Sequence, residues 1–121
     1  MTKVVVLSAD GGRELPIVAD GGFARAIVSP EMGAELRSLH RIRLRTGGET
    51  IPLRHASDAV YYVVGGEGTI AEPDAAGEPL VEGSMAHVDA GTHYVIRAGG
   101  PGLDIVGGPA PADHALYDGV L

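Results

Sequence analysis

Apolar residues in this chain come in short runs, and the sharpest of them alternate with polar ones. In SLHRIRLRT (38–46), Ser38, His40, Ile42 and Leu44 fall on one face, and Leu39, Arg41, Arg43 and Arg45 on the other. A period of two is that of a β-strand with one face buried. AVYYVV (59–64) puts Tyr61 and Val63 on one side and Val60, Tyr62 and Val64 on the other. Further strands are predicted at KVVVL (3–7), FARAIVS (23–29), SMAHVDA (84–90), HYVIRA (93–98) and LDIVGG (103–108), all rich in β-branched or apolar residues. EGTIAEP (67–73) follows VGGEG, which reads as a hairpin turn, and TIPLRH (50–55) is short and broken by proline. ADGG occurs at 9–12 and 19–22, reading as two Asp-Gly turns around a short strand. Helix signals are weak. SPEMGAELRSL (29–39) offers Ser29 as an N-cap and Pro30 in the first turn, but Gly33 interrupts it, so a single turn or a loop is expected. PAPADHALYDGVL (109–121) reads as a tail with one helical turn at most. Eight or nine short strands, recurring about every 8 to 12 residues with Gly and Pro between them, predict an all-β sandwich or barrel.

Composition narrows this picture. At 121 residues one domain is expected, large enough to fold without disulfides, and there are no cysteines to make them. Thiolate metal sites and thiol nucleophiles are excluded with them. Nineteen glycines and eight prolines, scattered between apolar runs, fit many turns better than disorder. The net charge of −7, with Lys3 as the only lysine, argues against a nucleic-acid partner. No run approaches the roughly 18 apolar residues of a membrane span. MTKVVVLSADGG lacks the form of a secretory signal, so a cytoplasmic protein is expected, with no membrane partner. GGEG has no following helix or Lys-Ser/Thr and is no phosphate loop, and no Gly-x-Ser-x-Gly elbow exists.

Two longer stretches, GGETIPLRHASDAVYYVVGGEGTI (47–70) and PLVEGSMAHVDAGTHYVIRAGG (79–100), resemble the two sequence motifs of the cupin superfamily. The glycine framework at Gly47, Gly48, Gly66, Gly83 and Gly91 matches the family spacing. The resemblance covers about residues 38–108. It implies a cupin-type jelly-roll barrel (a double-stranded β-helix) in one domain, with N-terminal strands in 1–37 and a tail in 109–121. In metal-binding cupins two histidines and an acid from the first motif, and one histidine from the second, converge in the barrel. Here the first histidine position holds Leu53 and the second holds His55. The acid falls on Asp58 with the shorter family spacer and on Ala59 with the longer one. The second motif's histidine falls on Tyr94, with His93 one residue earlier, its asparagine on Ala98 and its proline on Asp89. A one-residue displacement turns a strand side chain to the opposite face, so His93 enters the cavity only if a bulge or a late strand start realigns it. The ligand set the resemblance implies is therefore His55, Asp58 and His93, for a divalent zinc, iron, manganese or nickel ion, or no cofactor at all.

Other residues bear on the same cavity. His40 shares the apolar face of its strand, and His87 shares a face with Met85 and Asp89, leaving its direction open. A non-standard site of His40, His55 and His87 fits a barrel; the plainer reading of each is a hydrogen-bonded core histidine. His114 reads as exposed or locally packed. Without a metal, His55, Tyr61 and Tyr94 offer one group that titrates near neutrality and two phenols, and are the candidate catalytic set. Val63, Ile96, His40 and His87 are candidate ligand contacts. Arg54 has Asp58 and Glu67 as prospective partners, and Arg41, Arg43 and Arg45 read as a solvated face or an anion or dimer contact. The resemblance implies a small-molecule enzyme, an isomerase, epimerase, cyclase or dehydratase, of the kind found in secondary metabolism. The alternatives are a non-catalytic metabolite sensor and a metal-dependent, dioxygenase-like cupin with rearranged ligands. The expected partners are a small molecule and, as the resemblance implies, a second copy in a homodimer, since cupins commonly dimerise through sheet edges or exchanged N-terminal strands and KVVVL is a segment that needs a partner.

Overall fold

The structure, a computed structural model, describes residues 4–118. It contains seven strands: β1 (Arg13–Leu15), β2 (Val18–Val28), β3 (Leu39–Thr50), β4 (Asp58–Ala71), β5 (Glu78–Val81), β6 (Met85–Val88) and β7 (Val95–Ala110). All pair antiparallel in one sheet, in the order β1-β2-β3-β7-β4-β5, with β6 also against β4. The long strands belong to both halves of the molecule. The first part of β4 pairs with β6 (Ala59 opposite Val88), and its second part with β5 (Glu67 opposite Val81). β7 runs beside β4 from Asp58–Ala110 to Ala71–Val95. Folding these strands over at their midpoints turns one sheet into an all-β jelly-roll barrel. Among the described residues no helix is long and apolar enough to cross a membrane.

Bulges make the fold-over. The β4–β7 register shifts between Val63 and Gly65 and again between Gly66 and Gly68. Gly66 sits at φ +83°, and a Cβ there would lie 2.1 Å from the Gly102 carbonyl oxygen. Only glycine allows both the left-handed backbone and the close approach. VGGEG is therefore a bulge inside a continuous strand and not the expected hairpin turn. The second ADGG is likewise a bulged part of β2, with shifts on both sides of Asp20. HYVIRA and LDIVGG, expected as separate strands, are joined in β7 across GGPG. The result is fewer and longer strands than the turn signals suggested, because a glycine pair serves a bulge as well as a turn.

Two expected strands are absent. Residues 4–7 are in no strand and all are exposed, Val6 by 91%. Lys3, the first residue of that expected strand, lies outside the described residues. A β-branched run forms a strand only where an edge is available to pair with it. TIPLRH keeps only Thr50, the end of β3, and a bridge between Leu53 and Tyr94. The helix signal at Ser29 yields one 3-10 turn, Pro30–Met32, ended by Gly33 at φ 90°.

Both alternating segments behave as read. Ser38, His40, Ile42, Leu44, Tyr61 and Val63 are buried, whereas Val60, Tyr62 and Val64 are exposed. The core combines these with Leu15, Ala24, Leu53, Ala59, Ile96, Leu103 and Ile105.

Candidate functional site

The polar groups inside this apolar barrel come from four places. His40 is on the inner face of β3, and Tyr61 on that of β4. Tyr94 is held just before β7 by reciprocal backbone bonds with Leu53, at 2.8 and 2.9 Å. That bridge places the β3–β4 loop beside β7. His55, two residues after Leu53, is anchored by its carbonyl, which accepts from the Gly91 N–H at 2.7 Å. The fourth source is the segment after β7. A 3-10 turn, His114–Tyr117, starts at Asp113, whose Oδ1 accepts from the Ala115 N–H at 3.1 Å. This cap aims Asp113 and Tyr117 into the barrel.

The groups form a chain. His55 Nδ1 lies 2.7 Å from Asp113 Oδ2, His55 Nε2 lies 2.7 Å from the Tyr94 hydroxyl, and that hydroxyl lies 2.6 Å from the Tyr61 hydroxyl. Its direction follows from which groups can donate. The Asp113 carboxylate only accepts, so Nδ1 carries the proton. In the Nδ1–H tautomer Nε2 is an acceptor, Tyr94 donates to it, and Tyr61 donates to Tyr94. The side chains are sealed from solvent: Tyr61 is 1% exposed, Tyr94 2% and His55 5%. Burial pushes the Tyr61 phenol up to about 12, although its bond to Tyr94 opposes this. Tyr94 is raised further, by burial first and then by Tyr61 and Asp113. Both phenols are thus held as neutral donors near pH 7.

His40 makes a second contact. Its Nε2 lies 2.5 Å from the Tyr117 hydroxyl, with the rings edge to face at 5.6 Å. His40 is fully buried, and its Nδ1 has no hydrogen-bond partner among the described residues. Burial, followed by the neighbouring His55, lowers its pKa to about 4, against the pull of Asp113. His40 is therefore uncharged at neutral pH. Burial raises Tyr117 as well.

Of the residues singled out from sequence, His55, Tyr61 and Tyr94 are brought into one chain, with His40 nearby. Val63 and Ile96 are fully buried in the surrounding core. His87 is on the outer face, paired with Asp89 at 3.0 Å, because Ala86 and Val88 pack inward instead. Asp58 is exposed and accepts from the Ala90 N–H, and His93 is exposed. His55, Asp58 and His93 are not gathered around one point. Among the described residues, the only three ligating groups within 4.8 Å of one another are Asp58, His87 and Asp89, all exposed. The family's usual metal position fits an ion poorly here. Leu53 and Ala59 are packed in the core, and both His55 ring nitrogens are engaged. His114 is exposed and pairs with Glu35 at 2.7 Å. Arg54 is exposed and makes no ion pair among the described residues, whereas Arg41 and Arg43 both meet Asp104.

Asp113 and Tyr117 were not singled out from sequence. The one local signal was an aspartate ahead of a helical turn. Nothing in PAPADHALYDGVL indicates partners 58 and 77 residues away. A surface cleft of about 370 Å³ has Tyr94 among its lining residues, with Glu72, Glu78, His87, Asp89 and His93 around it. A larger one of about 640 Å³ lies against Arg43, Arg45 and Asp104 and holds no member of the buried chain.

Fold and site together define a small jelly-roll barrel whose interior carries imidazole and phenol groups. The fold is that of the cupin superfamily. No family model matches the sequence, and no curated protein matches it. Solved structures do. The polyketide cyclase RemF from Streptomyces resistomycificus superposes with a TM-score of 0.72 at 21% identity, over 93% of this chain and 81% of that one. A predicted oxalate decarboxylase from Thermotoga maritima gives 0.69 at 20%, over 85% and 96%. A cupin superfamily protein from Desulfitobacterium hafniense gives 0.63 at 16%, over 78% and 80%. At these identities the likeness is one of fold.

Proposed function

We propose that this protein is a small-molecule enzyme that moves protons inside the barrel, of the isomerase, epimerase, cyclase or dehydratase kind. The observation that carries this reading is the directed chain from Asp113 through His55 and Tyr94 to Tyr61. Asp113 holds the proton on Nδ1, which leaves the Nε2 lone pair as a base and stabilises the imidazolium that forms. A substrate carbonyl takes the hydrogen bond that Tyr94 otherwise donates to His55, which frees Nε2, and Tyr61 goes on donating to Tyr94. His55 Nε2 removes the proton α to that carbonyl, and the electron pair moves onto the oxygen as an enolate. The raised phenol pKa values keep Tyr61 and Tyr94 protonated, so Tyr94 stabilises the enolate by donation. Returning the proton from His55 to another carbon, or to the other face, gives the product. No step uses a metal.

The test needs no known substrate. A panel of enolisable ketones and aldehydes is incubated with the protein in D2O, and loss of the α-proton signal is followed by NMR. The wild type should exceed His55→Ala by about a hundredfold or more on at least one member, the usual range for a general base. Equal rates for the two proteins sink the reading. The sealed side chains favour one alternative, a barrel that binds a metabolite without converting it. Saturable binding with no exchange above buffer is that outcome.

We also propose a homodimer. Val4, Val5 and Val6 are exposed by 57% or more, and an apolar row on the outer face, Val60, Tyr62 and Met85, is uncovered. A second copy supplies both a cover and a strand partner.

A further inference from the structure

The two buried imidazoles meet one short stretch of chain. Asp113 occupies His55, and Tyr117 occupies His40. This stretch, residues 111–118, takes no part in the sheet. Besides those two contacts, the Tyr117 ring belongs to the core, Ala112 and Leu116 pack against its edge, and the remaining ties are three hydrogen bonds. Ser57 Oγ donates to the Pro111 carbonyl at 2.8 Å, Ala112 N–H to the Glu35 carbonyl at 3.0 Å, and His114 pairs with the exposed Glu35. A cleft of about 270 Å³, lined by Pro30, Glu31, His114, Tyr117 and Asp118, reaches Tyr117 from outside. Beneath lies His40, fully buried, with one ring nitrogen on the Tyr117 phenol and the other without a partner among the described residues. A sealed ring nitrogen with no partner among the described residues calls for an explanation.

We propose that residues 111–118 form a removable strap whose Tyr117 stands in for a ligand, and that the site beneath it binds a hydroxylated aromatic compound whose phenol replaces Tyr117 on His40. The chemistry of the occupant defines the class. The space is that of a tyrosine side chain, a flat ring in an apolar surround with one hydroxyl. His40 is neutral and buried, so it hydrogen-bonds a phenol and rejects a charged group. A ring of the same shape without the hydroxyl leaves both His40 nitrogens unpartnered, which makes the hydroxyl the discriminating feature. Swinging the strap away also withdraws Asp113 from His55, so ligand entry and the state of the proposed base are linked. The inference rests on reading the barrel interior as a small-molecule site. It does not require turnover.

The test uses the full chain and 4-methylphenol, the tyrosine side chain as a free molecule, with toluene as the control. Affinities are measured by calorimetry for the wild type, Tyr117→Ala and Tyr117→Phe. Backbone amide exchange is followed at Ala112 and Leu116 in the wild type. Tyr117→Ala should bind 4-methylphenol about tenfold or more tightly than the wild type, and toluene about tenfold or more weakly than 4-methylphenol. Saturating 4-methylphenol should speed exchange at Ala112 and Leu116, because the ligand displaces the strap. Equal affinity in the wild type and Tyr117→Ala, toluene as tight as 4-methylphenol, or unchanged or slowed exchange each overturns the proposal. If Tyr117→Ala does not fold, Tyr117→Phe decides: it keeps the ring and loses the bond to His40, so 4-methylphenol should compete better against it. An unchanged affinity there overturns the proposal too. Failure of the deuterium exchange by His55 leaves these binding results standing, and failure here leaves that exchange standing, so the two readings fail separately.

Discussion

Lowering the pH from 7 to 4 puts a proton on His40 in the unfolded chain well before it does so in the folded one. The unfolded side chain titrates near its ordinary value of 6.5, and the buried one near 4. Between these values the unfolded state binds more protons, so stability falls as the pH drops through 6.5 and continues to fall until the folded ring itself titrates. At about 1.4 kcal/mol per pH unit, the gap corresponds to roughly 3 kcal/mol lost by pH 4. That is a large share of the roughly 5–15 kcal/mol that holds a domain of ordinary stability. The groups facing His40 are His55, Asp113, Tyr117 and Ser38. Other acids and histidines also shift the curve, so the measurement is a difference. Urea unfolding is followed at half-unit steps from pH 7 to 4 for the wild type and His40→Gln. The variant starts lower, because it loses the bond to Tyr117, but its decline should be shallower by about 3 kcal/mol over the interval. Tyr117→Phe should keep the wild-type slope. Parallel curves for the wild type and His40→Gln would refute the assignment of a depressed pKa to His40.

Other consequences can be checked alongside. Tyr94→Phe removes the hydroxyl between His55 and Tyr61, stranding two buried partners, and should cost about 2–4 kcal/mol in chemical unfolding; a cost within error of zero means the chain is not formed. Gly107→Ala places a Cβ 2.1 Å from the Val60 carbonyl oxygen and 2.7 Å from the Tyr61 ring, so it should lower stability by about 3 kcal/mol or abolish soluble expression. A variant with wild-type stability contradicts the close β4–β7 approach. Arg41→Ala breaks a two-bond contact with Asp104, at 2.6 and 3.0 Å, in a partly shielded place. It should cost about 1 kcal/mol, less at high salt; equal cost at low and high salt argues against an electrostatic origin. For the homodimer, Val4→Asp combined with Val6→Asp should halve the mass seen by light scattering, and a wild-type monomer rules the dimer out.

The legible parts of this protein are those that depend on neighbours along the chain. Strand alternation is one: Ser38, His40, Ile42 and Leu44 point inward together because successive side chains on a strand point to opposite faces. The placement of Tyr61 and Val63 follows from the same rule, and Tyr94 was legible through the motif framework. His87 was ambiguous for the same reason. Its four-residue strand, MAHV, has no strongly apolar face, so the period alone left the direction undecided. Glycine pairs misled: VGGEG and the second ADGG carry the residues of turns but serve as bulges. Whether a glycine turns the chain back or only bends it depends on the partner strand, here β7 for one and β3 for the other.

By itself, then, the sequence determined that this is an all-β sandwich or barrel with many short β-branched segments, no cysteine chemistry, and His40 on an inward face. These properties follow from composition and a two-residue period. What only the tertiary structure decided is which polar groups meet. The Leu53–Tyr94 bridge aligns a loop with a strand some forty residues away, and the segment after β7 brings Asp113 to His55 and Tyr117 to His40. It also decided that His55, Asp58 and His93 stand apart. The physical reason is that hydrogen bonds and pKa shifts depend on distances in space, whereas the spacing of residues constrains only those on the same short element.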